Sequence, residues 1–248
     1  MKISAVVLTR NEEKNIEECI KTLSFFDEII IVDDNSEDKS LEIIRGLGDK
    51  RIKIYQRALR GDFSAQRNFA LEKTRNDYVF FIDADERITQ LLEEELKLLD
   101  NLFDGYLVKR TDFIWGKELR YGESGNIYLL RLGNKTKGQW RGKVHETWNI
   151  TGKTRKLRND LKHYPHQSVN AFLRELNYYT DLRANELYEK GVKSSFLKII
   201  LYTKAKFITD YVIKQGFRDG VQGFLMAIFM SFHSFLTRGK LWLLWNKS

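Results

Sequence analysis

Cysteine and proline are nearly absent from this chain of 248 residues, which contains one of each, Cys19 and Pro165. A lone cysteine excludes an intrachain disulfide. Its spacing with Ile16, Ile20 and Leu23 puts it on the apolar face of a helix, where a thiol serves as a small core residue. A single proline, with no internal repeat and no low-complexity tract, leaves no linker of biased composition. The glycines are not arranged as G-x-G-x-x-G or G-x-x-x-x-G-K-[ST] anywhere, so no motif points to a dinucleotide or a P-loop nucleotide. The first apolar run, Ile3 to Leu8, is cut short by Arg10, Asn11 and Glu12 and cannot serve as a signal peptide. A reducing, cytoplasmic address is therefore expected.

Charge is plentiful but unevenly placed. Residues 1–189 carry 32 basic and 32 acidic side chains, so the whole formal charge of +8 falls in residues 190–248, which hold 10 basic and 2 acidic ones. That tail is also aromatic and aliphatic. Lys193, Lys198, Lys204, Lys206 and Lys214 alternate with Phe196, Ile199, Ile200, Leu201, Tyr202, Phe207, Ile208, Tyr211 and Val212. Lysines interleaved with bulky aliphatics suit an anionic membrane surface better than nucleic acid, which calls for a polar basic stripe. The apolar run Val221–Thr237 would span only about 25 Å as a helix, short of the roughly 30 Å hydrocarbon core, and His233 interrupts it. An interfacial helix is expected, with Trp242 and Trp245 as anchors. The competing reading is a helical subdomain that packs its apolar face and leaves the lysines solvated.

The N-terminal half alternates strand and helix. Ile3–Leu8, Glu28–Val32, Arg51–Gln56 and Tyr78–Ile82 read as strands, each followed by a polar turn and a helical pattern, with Asn11 a candidate N-cap and Asn35 either a cap or a ligand contact. Four such units predict a doubly wound, mostly parallel α/β sheet, whose ligands lie beyond the carboxyl ends of the strands. Thr9, Asp33, Asp34, Asp83 and Asp85 fall along that edge. The run Tyr78 to Ile82 ends in Asp83-Ala84-Asp85-Glu86, and desolvated neighbouring carboxylates need a cation or a positive partner. Strand periodicity would point Asp83 and Asp85 to one side with the small Ala84 between them, a fit for a hard divalent ion; the alternative is a strand running into the acidic first turn of a helix over Ile88–Leu99.

Thr9-Arg10-Asn11-Glu12, Asp33-Asp34-Asn35-Ser36, Ser64-Ala65-Gln66-Arg67-Asn68 and Asp83-Ala84-Asp85-Glu86 together resemble, in order and spacing over roughly residues 1–165, the successive motifs of family 2 glycosyltransferases with the GT-A fold. Val144-His145-Glu146, Leu161 to His163 and Phe217-Arg218-Asp219-Gly220 further resemble the lipopolysaccharide-core β-glucosyltransferase subgroup. The resemblance implies an inverting, metal-dependent transfer of a hexose from a nucleotide-sugar, taken as UDP-linked, to a lipid-linked saccharide. It implies that Thr9, Arg10, Asn11, Glu12, Asp33, Asp34, Gln66, Arg67, Asp83 and Ala84 bind the donor, with Arg67 on the diphosphate. Glu146 is implied as the base, with His145 as its orienting partner or rival. Asp85, Asp83 and His163 are implied as ligands of a Mn²⁺ or Mg²⁺ ion, although His163 also fits a strand end packed near Tyr164.

The expected organisation is a catalytic domain over 1–165 and a basic, helical, membrane-associating region over 166–248, on the inner face of the cell membrane. Gly105–Arg110 and Asn126–Leu132 read as strands on the acceptor side, with Trp115 and Trp140 assigned to core packing. The nearest enzymatic alternative is transfer to a polyprenyl phosphate. From another class, a phospho-acceptor signalling domain also places paired acids at a strand end, as Asp33-Asp34 would be, but gives no role to Asp83-x-Asp85 or to Glu146.

Overall fold

The computed structural model describes residues 1–143, 146–165 and 168–246. In chain order the elements are β1 (Ile3–Thr9), α1 (Ile16–Lys21), β2 (Glu28–Asp33), α2 (Ser40–Gly46), β3 (Ile52–Gln56), α3 (Phe63–Lys73), β4 (Tyr78–Asp83), β5 (Glu86–Ile88), α4 (Gln90–Lys97), β6 (Gly105–Ile114), β7 (Lys117–Leu119), β8 (Ile127–Asn134), β9 (Gly138–Arg141), β10 (Thr147–Ile150), β11 (Thr154–His163), α5 (Val169–Glu189), α6 (Phe196–Phe207) and α7 (Gly220–Trp245). They form two compact units. The first comprises 1–110 and 127–163, the second 111–126 and 164–248.

In the first unit the main sheet runs β3-β2-β1-β4-β8-β6-β11-β5. The expected doubly wound part is present: β1 pairs in parallel with β2 and β4, and β2 with β3. Beyond β4 the pairing turns antiparallel, through β8 and β6. Alternate residues of the central strands enter opposite cores. Ala5, Val7, Ile29, Ile31, Phe80 and Ile82 meet Ile16, Cys19, Ile20, Leu92 and Leu96, whereas Val6, Ile30, Val32, Val79 and Phe81 meet Ala70, Leu71, Trp140 and Trp148. Burial on both faces is why these strands read as unbroken apolar runs. The structure assigns Cys19 and Trp140 to these cores, as expected, and burial pushes the Cys19 thiol pKa up.

Several local expectations are corrected. Asn11 is not an N-cap: it lies at φ 54°, and α1 begins only after Asn15. Asn35 likewise adopts a left-handed turn at φ 52°, five residues before α2. Asparagine tolerates that region of backbone conformation, so both residues suit turns. The strand through Asp85 also fails, because β4 ends at Asp83 and Ala84-Asp85 form a turn into β5, with Ala84 buried in the core and the helix starting only at Gln90.

In chain order a piece of the second unit interrupts the first, because the strand pair at residues 112–119 belongs with the C-terminal helices. Ile114 and Leu119 pack with Phe172, Leu176 and Met226, and Trp115 lies against Phe172 and Phe229. The Phe217-Arg218-Asp219-Gly220 motif ties this unit together. The Asp219 carboxylate accepts hydrogen bonds from the Arg120 and Tyr121 amides at 3.0 and 2.8 Å, and its carbonyl accepts from Lys117 Nζ at 2.6 Å. Gly223 is required by contact, since a Cβ there would stand 2.0 Å from the Gly216 carbonyl oxygen. A π-helical turn at Ile208–Ile213 follows α6 and buries Asp210 between Lys206 and Lys214, both of which also reach Glu123 at 2.8 Å. Burial opposes ionisation of Glu123, but the two lysines outweigh it and hold its carboxyl at about 2. The length argument against a spanning helix is also overturned: α7 has 26 residues, and the helical stretch Gly216–Trp245 is long and apolar enough, by length and composition alone, to cross a bilayer.

Where the parallel and antiparallel halves of the sheet meet, β8 contributes Arg131. Its side chain is 5% exposed, and its Nη2 donates to Asp83 at 2.7 Å and to Glu86. Glu86, fully buried, also accepts from the Asp83 amide at 2.9 Å. Burial raises the Glu86 pKa against the pull of Arg131; burial opposes ionisation of Asp83 as well, but Arg131 and then Arg67 hold that carboxyl well below the usual range. Removing one partner of such a set strands charge in a dry interior. Arg131→Met should therefore cost about 3–5 kcal/mol in urea unfolding at neutral pH, and adding Glu86→Gln should recover part of the loss by removing a buried carboxyl group left without its guanidinium.

Candidate functional site

The carboxyl ends of β1, β2 and β4 bring the predicted acids to one edge, with Thr9 opposite Asp33 and Leu8 opposite Asp83 in the strand register. Asp33 is buried and turns back on its own loop, accepting from the Ser36 amide at 3.0 Å and from the Ser36 hydroxyl. Asp34 accepts from the Leu59 amide at 2.7 Å and pairs with Arg10 at 3.0 Å. Asn11 and Glu12 knit the first two loops together: the Asn11 side chain accepts from the Glu37 amide, and the Glu12 amide donates to Ser40 Oγ. Thr9 differs from these. Its hydroxyl is buried and has no hydrogen-bond partner among the described residues.

A second cluster centres on α3. Arg67 is 7% exposed at its side chain, and it donates from Nη2 to Asp83 at 3.1 Å and from Nε to Glu146 at 2.9 Å. Its guanidinium lies over the rings of Trp140 and Phe81, at 4.7 and 5.5 Å from their centroids. The remaining nitrogen, Nη1, is buried without a hydrogen-bond partner among the described residues. Gln66 is engaged elsewhere, with its oxygen accepting from Arg57 Nη1 and its nitrogen donating to the Arg57 carbonyl, both at 2.7 Å. Both polar ends of its amide thus support the loop after β3.

The turn gives the two aspartates different partners. Each Asp83 oxygen accepts one hydrogen bond from a guanidinium, Oδ1 from Arg67 and Oδ2 from Arg131. Asp85 instead lies 3.2 Å from His163 Nε2, which β11 delivers by antiparallel pairing of His163 with Glu86. A carboxylate and an imidazole at a strand end fit a divalent ion that takes its other ligands from phosphate oxygens and water. Among the described residues no group of three or more His, Cys, Asp or Glu side chains converges as a ready-made cage. His145, with Val144, lies outside the described residues.

Sequence reasoning missed Arg131 and misread Glu86. The signal for Arg131 was an arginine inside the apolar run Ile127–Leu132, since a charge in a buried strand implies a buried partner. For Glu86 the sequence offered, as an alternative, the acidic first turn of a helix, because the intervening strand β5 is only three residues long.

The sequence model of glycosyl transferase family 2 matches residues 4–180. A lipopolysaccharide core biosynthesis glycosyltransferase, LpsC, of Rhizobium meliloti is 30% identical over 253 residues, covering 97% of this chain and 92% of the relative. An uncharacterised glycosyltransferase of Rickettsia typhi is 27% identical, with 97% and 86% of the two chains covered. Among solved structures, residues 1–349 of TarS from S. aureus in complex with UDP-GlcNAc superpose with a TM-score of 0.52 at 16% identity, over 92% of this chain and 79% of that one; at this identity the likeness concerns the fold. The parallel core and its acid-lined edge are accordingly those of a GT-A enzyme, and the chain belongs to glycosyl transferase family 2.

Proposed function

We propose that this glycosyltransferase moves a hexose, with inversion, from a UDP-sugar to a lipid-linked saccharide such as a lipopolysaccharide core, on the cytoplasmic face of the membrane. The observation that carries the reading is the placement of Arg67, which spans from Asp83 to Glu146 and keeps a third nitrogen buried beside them, without a hydrogen-bond partner among the described residues. A guanidinium so placed suits phosphate oxygens. The carboxylate next to it suits the proton of an acceptor hydroxyl.

In this reading Thr9, Asp33 and Asp34 border the uridine, with the Thr9 hydroxyl turned to it, and Arg67 Nη1 meets the diphosphate. Glu146 takes the proton as the acceptor oxygen bonds to the anomeric carbon. The bond from that carbon to the diphosphate oxygen breaks, and UDP departs with the electron pair. Attack from the face opposite the leaving group inverts the centre. Asp85 and His163 would hold a Mn²⁺ or Mg²⁺ ion, which supplies positive charge for the diphosphate. Family membership leaves no place for the phospho-acceptor alternative. A polyprenyl phosphate remains the rival acceptor, and the relationship to LpsC favours the saccharide.

The membrane part of the proposal rests on the second unit. Phe196, Leu197, Leu201, Ile208, Val212 and Ile213 are exposed on α6 and the π-helical turn after it, beside the exposed Lys198 and Lys204. On α7, Val221, Phe224, Ile228, Phe232 and Phe235 are exposed at helical spacing, whereas Met226, Ala227, Ser231, Thr237 and Leu241 are buried. A helix with one face packed and one apolar face outward suits the interfacial plane.

Two variants separate binding from turnover. Asp85→Ala should abolish Mn²⁺-dependent UDP binding in isothermal titration while the melting temperature holds, and unchanged affinity would remove Asp85 from the site. Glu146→Gln should lower turnover by roughly 10²-fold to 10⁴-fold, read as UDP release from a panel of UDP-hexoses, with UDP affinity nearly unchanged; turnover within a few fold of the wild type would place the base elsewhere.

The full chain should sediment with phosphatidylglycerol vesicles and be partly released by high salt, with about 1 kcal/mol lost per basic residue neutralised in Lys198→Gln/Lys204→Gln. Equal binding to neutral phosphatidylcholine vesicles would refute the electrostatic contribution.

A further inference from the structure

The strands β9 and β10 form a two-stranded sheet of their own, hydrogen-bonded to each other and to no strand of the main sheet among the described residues. Glu146 immediately precedes β10 of this hairpin. An isolated two-stranded hairpin is marginally stable in water, so the position of Glu146 depends on whatever fixes the hairpin from outside its own ladder.

That support comes from one face of α3, at positions spaced four and five residues from Phe63. The Phe63 amide donates to the Lys143 carbonyl at 3.1 Å, Arg67 donates to Glu146, and Asn68 engages the backbone of Trp140 in both directions. Asn68 Nδ2 donates to the Trp140 carbonyl and Asn68 Oδ1 accepts from the Trp140 amide, each at 2.9 Å. Trp140 thus turns both backbone groups away from β10, and the carboxamide takes the place of a neighbouring strand residue. Beneath it, Trp140 stacks on Trp148 with centroids 5.4 Å apart, and both rings meet the edge of Phe81 at 5.0 and 5.1 Å. The apolar stack is non-directional and tolerates sliding. The paired amide hydrogen bonds set register and angle.

We infer that Asn68 is the positioning residue for the base: it acts through the backbone of Trp140 to hold the β9–β10 hairpin at the height that aims Glu146. The inference rests on the assignment of Glu146 as base. Only a carboxamide offers a donor and an acceptor side by side at this length. Aspartate keeps the shape but turns a second acceptor toward the Trp140 carbonyl, and alanine removes both contacts.

The test uses the full chain with Mn²⁺ and UDP-glucose as probe donor, water serving as acceptor, alongside hydrogen exchange. Asn68→Asp and Asn68→Ala should speed amide exchange across Trp140–Ile150 while leaving β1 and β4 protected. They should lower kcat by roughly 10-fold to 100-fold, the size of loss that follows a misplacement of about 1 Å, with KM for UDP-glucose within about threefold. Combined with Glu146→Gln, neither should lower turnover further, because the aim of an absent base has no effect. A purely structural role would instead raise KM and multiply with the Glu146→Gln loss. Unchanged exchange in the hairpin overturns the inference without reference to turnover, and so does a kcat within threefold of the wild type. Failure of the base assignment itself would appear separately, in Glu146→Gln alone.

Discussion

The site depends on the neutralisation of carboxylates at the end of a buried strand. Asp83 ends β4, Glu86 lies wholly inside, and Glu146 comes from a separate hairpin, yet all three are reached by two guanidiniums, those of Arg67 and Arg131. Isolated charges in such surroundings are too costly to hold, so the arginines are conditions of the fold before they are parts of a site. Arg131 joins the parallel and antiparallel halves of the sheet. Arg67 joins the sheet edge to the hairpin. The planar five-donor fork explains why arginine, and not lysine, occupies both places.

The same arrangement divides labour between the two aspartates of Asp83-Ala84-Asp85. A continuous strand would have turned both to one side, but the turn after Asp83 sends the first to the arginines and the second to His163. One carboxylate is braced by two guanidiniums, and the other lies beside an imidazole at the open end of the sheet. The subgroup motif around Asp219 and Gly220 also proves architectural, since it seals the second unit by side chain to backbone hydrogen bonds and by the approach of Gly223 to the Gly216 carbonyl.

Much of this was legible in the sequence. The alternation of apolar runs with helical patterns gave the strands β1 to β4 because burial on both sheet faces leaves a signal that turns cannot mimic. The acids were located correctly at strand ends. What escaped was set by tertiary structure: the three-residue β5, the left-handed turns at Asn11 and Asn35, and the buried ladder of charge through Arg131, whose partners lie 45 and 48 residues away in sequence. Asn68 was legible only as a polar residue beside Arg67. Its engagement of the Trp140 backbone joins segments 72 residues apart, which no local pattern reports.

The split of the second unit between two distant stretches of chain also bears on synthesis. Ile114 and Leu119 leave the ribosome well before Phe172, Leu176 and Met226, the residues that bury them. At about 5–20 residues per second, the interval amounts to several seconds or more. Throughout it the strand pair at 112–119 has no completed core, and its apolar side chains are open to chaperones or to other nascent chains. The first unit cannot shorten this wait by folding early, because the missing partners belong to the last third of the polypeptide.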